Sequence, residues 1–155
     1  MVKVSAGILL YRRVAGRVEV LLGHPGGPLW ARKDEQAWSI PKGECDPDEP
    51  PLLAARRELT EETGAVLEGE PVALVPVKQP SGKIVHAFAV EQDFDLARFH
   101  PGTFTMEWPP RSGKVREYPE LDRVAWMGLE EARVKIQRGQ GPLLDQLTER
   151  LGGSA

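Results

Sequence analysis

The chain has 155 residues, 41% of them apolar, and a formal net charge of −3. That is enough for one buried core in a single domain spanning residues 1–155, whereas two domains would each be small. A charge so near balance excludes a broad polyanion-binding surface. With no apolar run near the roughly 18 residues of a membrane span and no charged-then-apolar leader, neither a membrane segment nor a signal peptide is expected. A single cysteine, Cys45, excludes an intrachain disulfide and fits a reducing, cytoplasmic setting.

Val2 to Tyr11 is strand-like, and Val14-Ala15-Gly16 turns it into a second strand from Arg17 to Leu22. His24-Pro25-Gly26-Gly27-Pro28 ends that strand and opens a long loop to Gln36, a length usually tied to function or disorder. Trp38 to Ile40 is a short strand, and a helix follows from about Pro50 to Thr63. Val72 to Val77 and Lys83 to Glu91 read as a hairpin around Pro80-Ser81-Gly82. Thr103 to Trp108 and Arg123 to Met127 are further strands; Arg111 to Arg116, a short basic stretch among Pro and Gly, reads as a solvated loop ahead of a phosphate-binding one. Two helices, Leu129–Gln137 and Pro142–Leu151, flank Gly139-Gln140-Gly141. Strands and helices mixed in this order predict an α/β domain with a mixed sheet sandwiched by helices.

The first helix carries the chemistry. Asp48 is the expected N-cap, Glu49 suits the positive first turn, Pro50 sits where a missing N–H costs nothing, and Gly64 supplies the left-handed stop. At about 100° per residue, Glu58, Glu61 and Glu62 form one stripe, with Leu52, Ala55 and Leu59 on the apolar side. Three carboxylates at that end oppose the helix dipole. They also repel one another by about 0.2–0.5 kcal/mol per like-charged pair. An amphipathic helix with incidental acids is the plain alternative. A divalent cation, which prefers carboxylate oxygens, would explain the cluster.

The loop in front, Ile40-Pro41-Lys42-Gly43-Glu44-Cys45-Asp46-Pro47-Asp48, leads straight into that stripe, and Gly43 permits a backbone path that turns its carbonyl toward a metal. Gly43, then Glu49, Arg57-Glu58-Leu59, Glu61-Glu62 and Gly64 stand at the spacing Gly-x5-Glu-x7-Arg-Glu-U-x-Glu-Glu-x-Gly-U, where U is a bulky aliphatic. This resembles the Nudix box, departing only at its last position, where Ala65 replaces the aliphatic and Val66 follows. The lead-in Trp38-Ser39-Ile40-Pro41-Lys42-Gly43 is similar to that of diadenosine polyphosphate hydrolases.

The resemblance implies a Nudix α/β/α sandwich and metal-dependent hydrolysis of a diphosphate linkage in a small nucleotide, with Mg²⁺ or Mn²⁺ and no nucleic-acid partner. A dinucleoside polyphosphate or a nucleoside triphosphate comes first; ADP-ribose, a sugar nucleotide or a silent ligand sensor are the alternatives. It implies Glu58, Glu61, Glu62 and the Gly43 carbonyl as metal ligands, and Glu49 with Arg57 as the pair bracing loop to helix. Glu58 is the first choice of general base, with an acid outside the box as its rival. Counting back from Trp126 makes that acid Glu120, then Glu117, then Glu107. Lys42 and Lys83 are candidate phosphate contacts. Tyr118, with Trp30, Trp38 and Trp108, could stack on a base, some of them serving instead as core. His24 and His86 lack a partner at zinc spacing and read as polar core or loop residues, and Cys45 reads as incidental.

Overall fold

A computed structural model describes residues 2–152. Eleven residues, Val4–Val14, form β1, and Ala15 and Gly16, both at positive φ, turn the chain tightly into β2, Arg17–Pro25. After the long loop, Trp38 and Ser39 make only single bridges, so the expected strand Trp38–Ile40 is replaced by β3, Lys42–Glu44. The helix α1 is Pro51–Thr63. The expected hairpin is broken differently: β4, Val72–Ala73, and β5, Val77–Lys78, both pair with β6, Ile84–Glu91. A 3-10 turn, Leu96–Arg98, precedes β7, Thr103–Glu107, which pairs with β8, Val115–Pro119. The chain ends with β9, Leu121–Gly128, and the helices α2, Leu129–Lys135, and α3, Gly141–Arg150.

The main sheet runs β4-β6-β1-β2-β9, with β3 added to β1 and β5 to β6. Only β1 and β6 are parallel among these pairs, so the sheet is mixed. Its central strands are apolar on both faces because both faces are covered. Ile8, Leu10 and Leu21 meet Ala54, Ala55 and Leu59 of α1. Leu9, Val20 and Leu22 point the other way, to Leu129 and Ala132 of α2 and Leu143, Leu144 and Leu147 of α3. The strand period of two thus feeds two helix layers.

Two local readings are corrected. Asp48 is not the N-cap: it sits at φ 66°, and Pro50 takes the position with no side-chain cap, leaving Glu49 outside the first turn. The consecutive prolines cause this, since a residue before proline is driven out of helical geometry and the helix can begin only at Pro51. Likewise, Arg111–Arg116 is not wholly loop. Val115 and Arg116 begin β8, which exists because β7 offers it a partner, and a partner is what a charged stretch cannot reveal alone.

Candidate active site

Arg57 organises the acidic end of α1. Its Nε and Nη2 donate to both oxygens of Glu49 at 3.1 and 2.9 Å, a two-pronged contact, and Nη2 also reaches the Glu44 carbonyl at 3.2 Å. Nη1 donates to Glu58 at 2.9 Å and to Glu61 at 3.3 Å. Glu49 in turn accepts the Asp46 N–H, so loop and helix are stitched through one guanidinium, and Arg57 holds the Glu49 carboxyl below its ordinary range. The Glu49–Arg57 brace expected from the box is a direct contact.

Gly43 is sterically required. A Cβ there would stand 2.1–2.3 Å from the Glu58 carboxyl, so the carboxylate fills the space a side chain would need. Glu62 accepts the Lys42 N–H at 3.1 Å. Burial, then the neighbouring charges of Glu58 and Glu120, push its carboxyl up to about 8. Burial and Glu61 raise Glu58 as well, with Glu120 adding to it.

Glu120 reaches this cluster from the turn between β8 and β9. A chain of backbone bonds carries it there: Gly102 N–H to the Glu61 carbonyl at 2.7 Å, Glu120 N–H to the Gly102 carbonyl at 2.8 Å, and Gly26 N–H to the Glu120 carbonyl at 3.0 Å. A Cβ on Gly26 would meet the Pro119 carbonyl at 1.9 Å, and one on Gly102 the Glu61 carbonyl at 2.9 Å. Burial and Glu61 raise the Glu120 carboxyl. The rival acids stand elsewhere. Glu117 is exposed and opposite Thr105, while Glu107 accepts the N–H groups of Arg111 and Gly113 at its own hairpin.

A trench of about 250 Å³ lies beside these acids, lined by Lys42, Glu62, Glu120, Leu121, Trp30 and Ser39 among others. It shares Pro25, Trp30 and Glu120 with a cleft of about 290 Å³ whose further walls include Leu29, Phe104 and Met106. The Phe104 ring lies so close over Gly27 that a Cβ there would stand 2.9 Å from it. Tyr118 backs Phe104 with ring centroids 6.0 Å apart and is not itself on the cleft wall. Trp38 is core, its Nε1 on Asp34, and Trp108 follows the last residue of β7, away from the cleft wall. Lys42 is largely buried, and burial and Lys83 lower its pKa against the pull of Glu62 and Glu58. Lys83 is 3.9 Å from Glu44.

Sequence reasoning missed the supports. Fully buried Gln140 accepts the Ile40 N–H and donates to Ser39 Oγ, fixing the approach to the box. Buried His24 bonds Asp122 through Nδ1 and the Lys33 carbonyl through Nε2, tying down the loop that carries Trp30. His24 could be read in the sequence as a polar core residue and Gly26-Gly27 as a loop marker, but not the bonds they serve.

The donor set suits a hard cation: carboxylate oxygens crowded enough to raise one another's pKa values. Gly43 lies in β3 and not on the turned backbone path expected for it; what it supplies is room for the Glu58 carboxyl. Among the described residues no three acidic, His or Cys side chains close around a single point. Mg²⁺ does not need that, since it keeps several waters and takes one or two carboxylates.

A family model for the NUDIX domain matches residues 1–147, and the chain belongs to that family. Its fold is the Nudix fold: the *Caenorhabditis elegans* Ap4A hydrolase binary complex superposes with a TM-score of 0.68 at 24% identity, covering 98% of this chain and 99% of that one. The NUDIX domain of *Shewanella oneidensis* NrtR complexed with ADP ribose gives 0.66 at 17% identity, covering 97% and 89%. Among curated relatives, the *C. elegans* bis(5'-nucleosyl)-tetraphosphatase [asymmetrical] is 40% identical over 68 residues, 44% of this chain and 45% of the relative. An RNA pyrophosphohydrolase of *Pseudomonas fluorescens* is 44% identical over 57 residues, 36% of this chain and 35% of the relative. The matched stretches thus span less than half the length of these relatives. Nudix enzymes generally use divalent metals.

Proposed function

We infer that residues 1–155 form one Nudix hydrolase domain that cuts a diphosphate linkage in a nucleotide, first a dinucleoside polyphosphate or a nucleoside triphosphate. The observation that carries this reading is the meeting of Glu120 with Glu58, Glu61 and Glu62 beside a trench that opens into an aromatic-walled cleft. Glu58, Glu61, Glu62, Glu120 and the Gly43 carbonyl would share the metal ligation, at one or two carboxylates per ion. Mg²⁺ or Mn²⁺ would lower the pKa of water and neutralise phosphate charge on both sides of the displacement. Arg57 and Glu49 keep the acids in register, Lys42 and Lys83 meet the phosphates, and Phe104, backed by Tyr118, presents a ring to the base. Glu58, pressed against Gly43, is the general base, with Glu120 its rival. The free Cys45 thiol supports a cytoplasmic setting.

The curated relatives support a second reading, hydrolysis of a pyrophosphate carried by an RNA, as in the relatives named RNA pyrophosphohydrolase. A phosphate-release screen over nucleoside triphosphates, dinucleoside polyphosphates, ADP-ribose, sugar nucleotides and 5'-triphosphorylated RNA, with Mg²⁺ and with Mn²⁺, tests both. Turnover of none of these with either metal would leave a ligand-binding domain instead.

A further inference from the structure

His24 is a fully buried titratable side chain that the chemistry above leaves unused. It stands on β2 opposite Arg123 of β9, and both of its ring nitrogens face acceptors. Nδ1 lies 3.0 and 3.1 Å from the two carboxylate oxygens of Asp122, and Nε2 lies 2.6 Å from the carbonyl of Lys33. Neither partner has a proton to give, since an ionised carboxylate and a carbonyl only accept. A neutral imidazole donates from one nitrogen and presents a lone pair on the other, so it can serve only one of the two. Only the doubly protonated ring donates to both.

The acceptors decide which contact fails when the second proton leaves. The Asp122 carboxylate is charged and offers both oxygens, so it keeps the remaining proton on Nδ1. Nε2 then turns a lone pair toward the Lys33 oxygen at 2.6 Å, in a ring with no exposure to water. The contact changes from a charge-assisted hydrogen bond to a repulsion between two acceptors. The charges packed around the ring are divided. Asp122 favours the second proton but is shared with Arg123, whose Nη1 lies 3.2 Å from it and whose guanidinium covers the Trp38 ring. Asp34 bonds the Trp38 indole, which meets the His24 ring edge-on at 5.3 Å, and is also bonded by Lys135 of α2. The Lys33 ammonium lies over the Trp30 ring, 5.0 Å from its centroid.

The Lys33 carbonyl matters for the segment it anchors. The Lys33 N–H bonds the Trp30 carbonyl at 2.9 Å and the Trp30 N–H bonds the Gly27 carbonyl at 3.4 Å, so Gly27, Trp30 and Lys33 form a chain of turns. One end is held to the sheet by Gly26 on Glu120, the other by Lys33 on His24. Between them lies Trp30, the wall common to the trench and the cleft. The acids of α1 are fastened separately, by Arg57.

We propose that His24, as the imidazolium, is a positioning residue for substrate binding: its bond to Lys33 holds Trp30 against the site, and loss of one ring proton loosens that wall and weakens binding while the acids of α1 stay in place. This rests on the reading of trench and cleft as the nucleotide site. It adds a pH dependence of KM that is separate from the titration of the acids.

The experiment takes the intact chain, His24→Gln and Asp122→Asn through about pH 5 to 8, the range in which histidine side chains change charge. Heteronuclear NMR of the imidazole nitrogens reads the ring protons, the His24 signals being those missing from His24→Gln. Amide exchange at Trp30 and Lys33, compared between variants at each pH, reads the loop without any substrate. KM and kcat are measured for ATP and for a dinucleoside tetraphosphate. In the intact chain His24 should carry both ring protons at the acid end and lose one as pH rises. Protection of the two amides should fall about tenfold with that proton, the scale of one charge-assisted hydrogen bond. KM should rise with the same midpoint by a smaller factor, about threefold, because only the open fraction of the loop is lost to binding. His24→Gln should show the low protection and the high KM at every pH, and converge with the intact chain at the alkaline end. Asp122→Asn keeps an oxygen for the Nδ1 proton and removes the charge, so both midpoints should move to lower pH by about one unit. A single neutral tautomer throughout, protection and KM that follow pH identically in the intact chain and His24→Gln, or an unmoved midpoint in Asp122→Asn overturns the proposal. If neither nucleotide is turned over while the exchange difference is present, the hydrolase reading fails and the His24 clamp on the loop stands.

Discussion

The two walls of the site are held by different forces. On one, residues 43–62 lie close in sequence and are fastened by side-chain charges, with Arg57 touching Glu49, Glu58 and Glu61 at once. On the other, Gly26, Gly102 and Glu120 come from three separate connections and are fastened by backbone hydrogen bonds, with glycines where the chains pass too closely for a side chain. The charged wall stores repulsion that a bound cation would relieve. The glycine-stitched wall contributes one acid and the apolar rings of Trp30 and Phe104. Damage to the first should therefore fall on kcat and metal affinity, and damage to the aromatic part of the second on KM.

The largest effect is expected from Glu62→Gln, which removes a carboxylate from the most buried part of the charged wall. Activity at saturating Mg²⁺ should fall by more than the ~10–100-fold typical of a group that only supports a metal ligand. Loss of only a few-fold would remove Glu62 from the ligand set. The same variant tests the stored repulsion. Glu62 has a folded-state pKa of about 8 against an ordinary 4.5, so the folded protein holds this proton more tightly than the unfolded chain. Metal-free stability should therefore be full below about pH 4.5 and fall as pH rises toward 8, by at most about 1.4 kcal/mol per pH unit from this group. In urea titrations without metal, Glu62→Gln should be more stable than wild type at pH 8, and the two should converge near pH 4.5.

Glu120→Gln comes next. With a part in metal binding or in activating water, it should lower kcat much more than it raises KM, while Glu117→Gln and Glu107→Gln keep wild-type turnover. A large loss in Glu117→Gln instead would show that the acid was misassigned. Gly102→Ala reaches the same acid indirectly, since the new Cβ meets the Glu61 carbonyl at 2.9 Å and shifts the backbone that carries Glu120. We expect a loss of roughly tenfold in kcat, smaller than that of Glu120→Gln, with the protein still folded by circular dichroism.

Phe104→Ala should have the smallest effect on chemistry. Removing one wall of the cleft should raise KM for a nucleotide by about tenfold, the order expected of a lost base–aromatic stack, with kcat within a few-fold of wild type. A kcat loss as large as that of Glu120→Gln would mean that the two walls are not separable.

The sequence by itself determined the charged wall, because there the chemistry is local. Gly43, Glu49, Arg57, Glu58, Glu61 and Glu62 are brought together by a short loop and a few helical turns, whose geometry is fixed by backbone hydrogen bonding alone. The apolar run from Val2 and the turn at Val14-Ala15-Gly16 likewise marked β1 and β2 as successive strands, though not their place at the centre of the sheet. Even locally, the reading went wrong where two effects competed, as at Asp48, whose capping preference was overruled by the prolines after it. The count back from Trp126 ranked Glu120 ahead of Glu117 but could not show where either stands. The path through Gly102 and Gly26, a set of contacts between segments far apart in the chain, brings Glu120 to the acidic end of α1. The partner of β8, the cleft between Trp30 and Phe104, and the clamps of Gln140 and His24 were decided by tertiary structure alone. Each depends on which distant surface a side chain meets when the sheet closes, and neither residue spacing nor propensity encodes that distance.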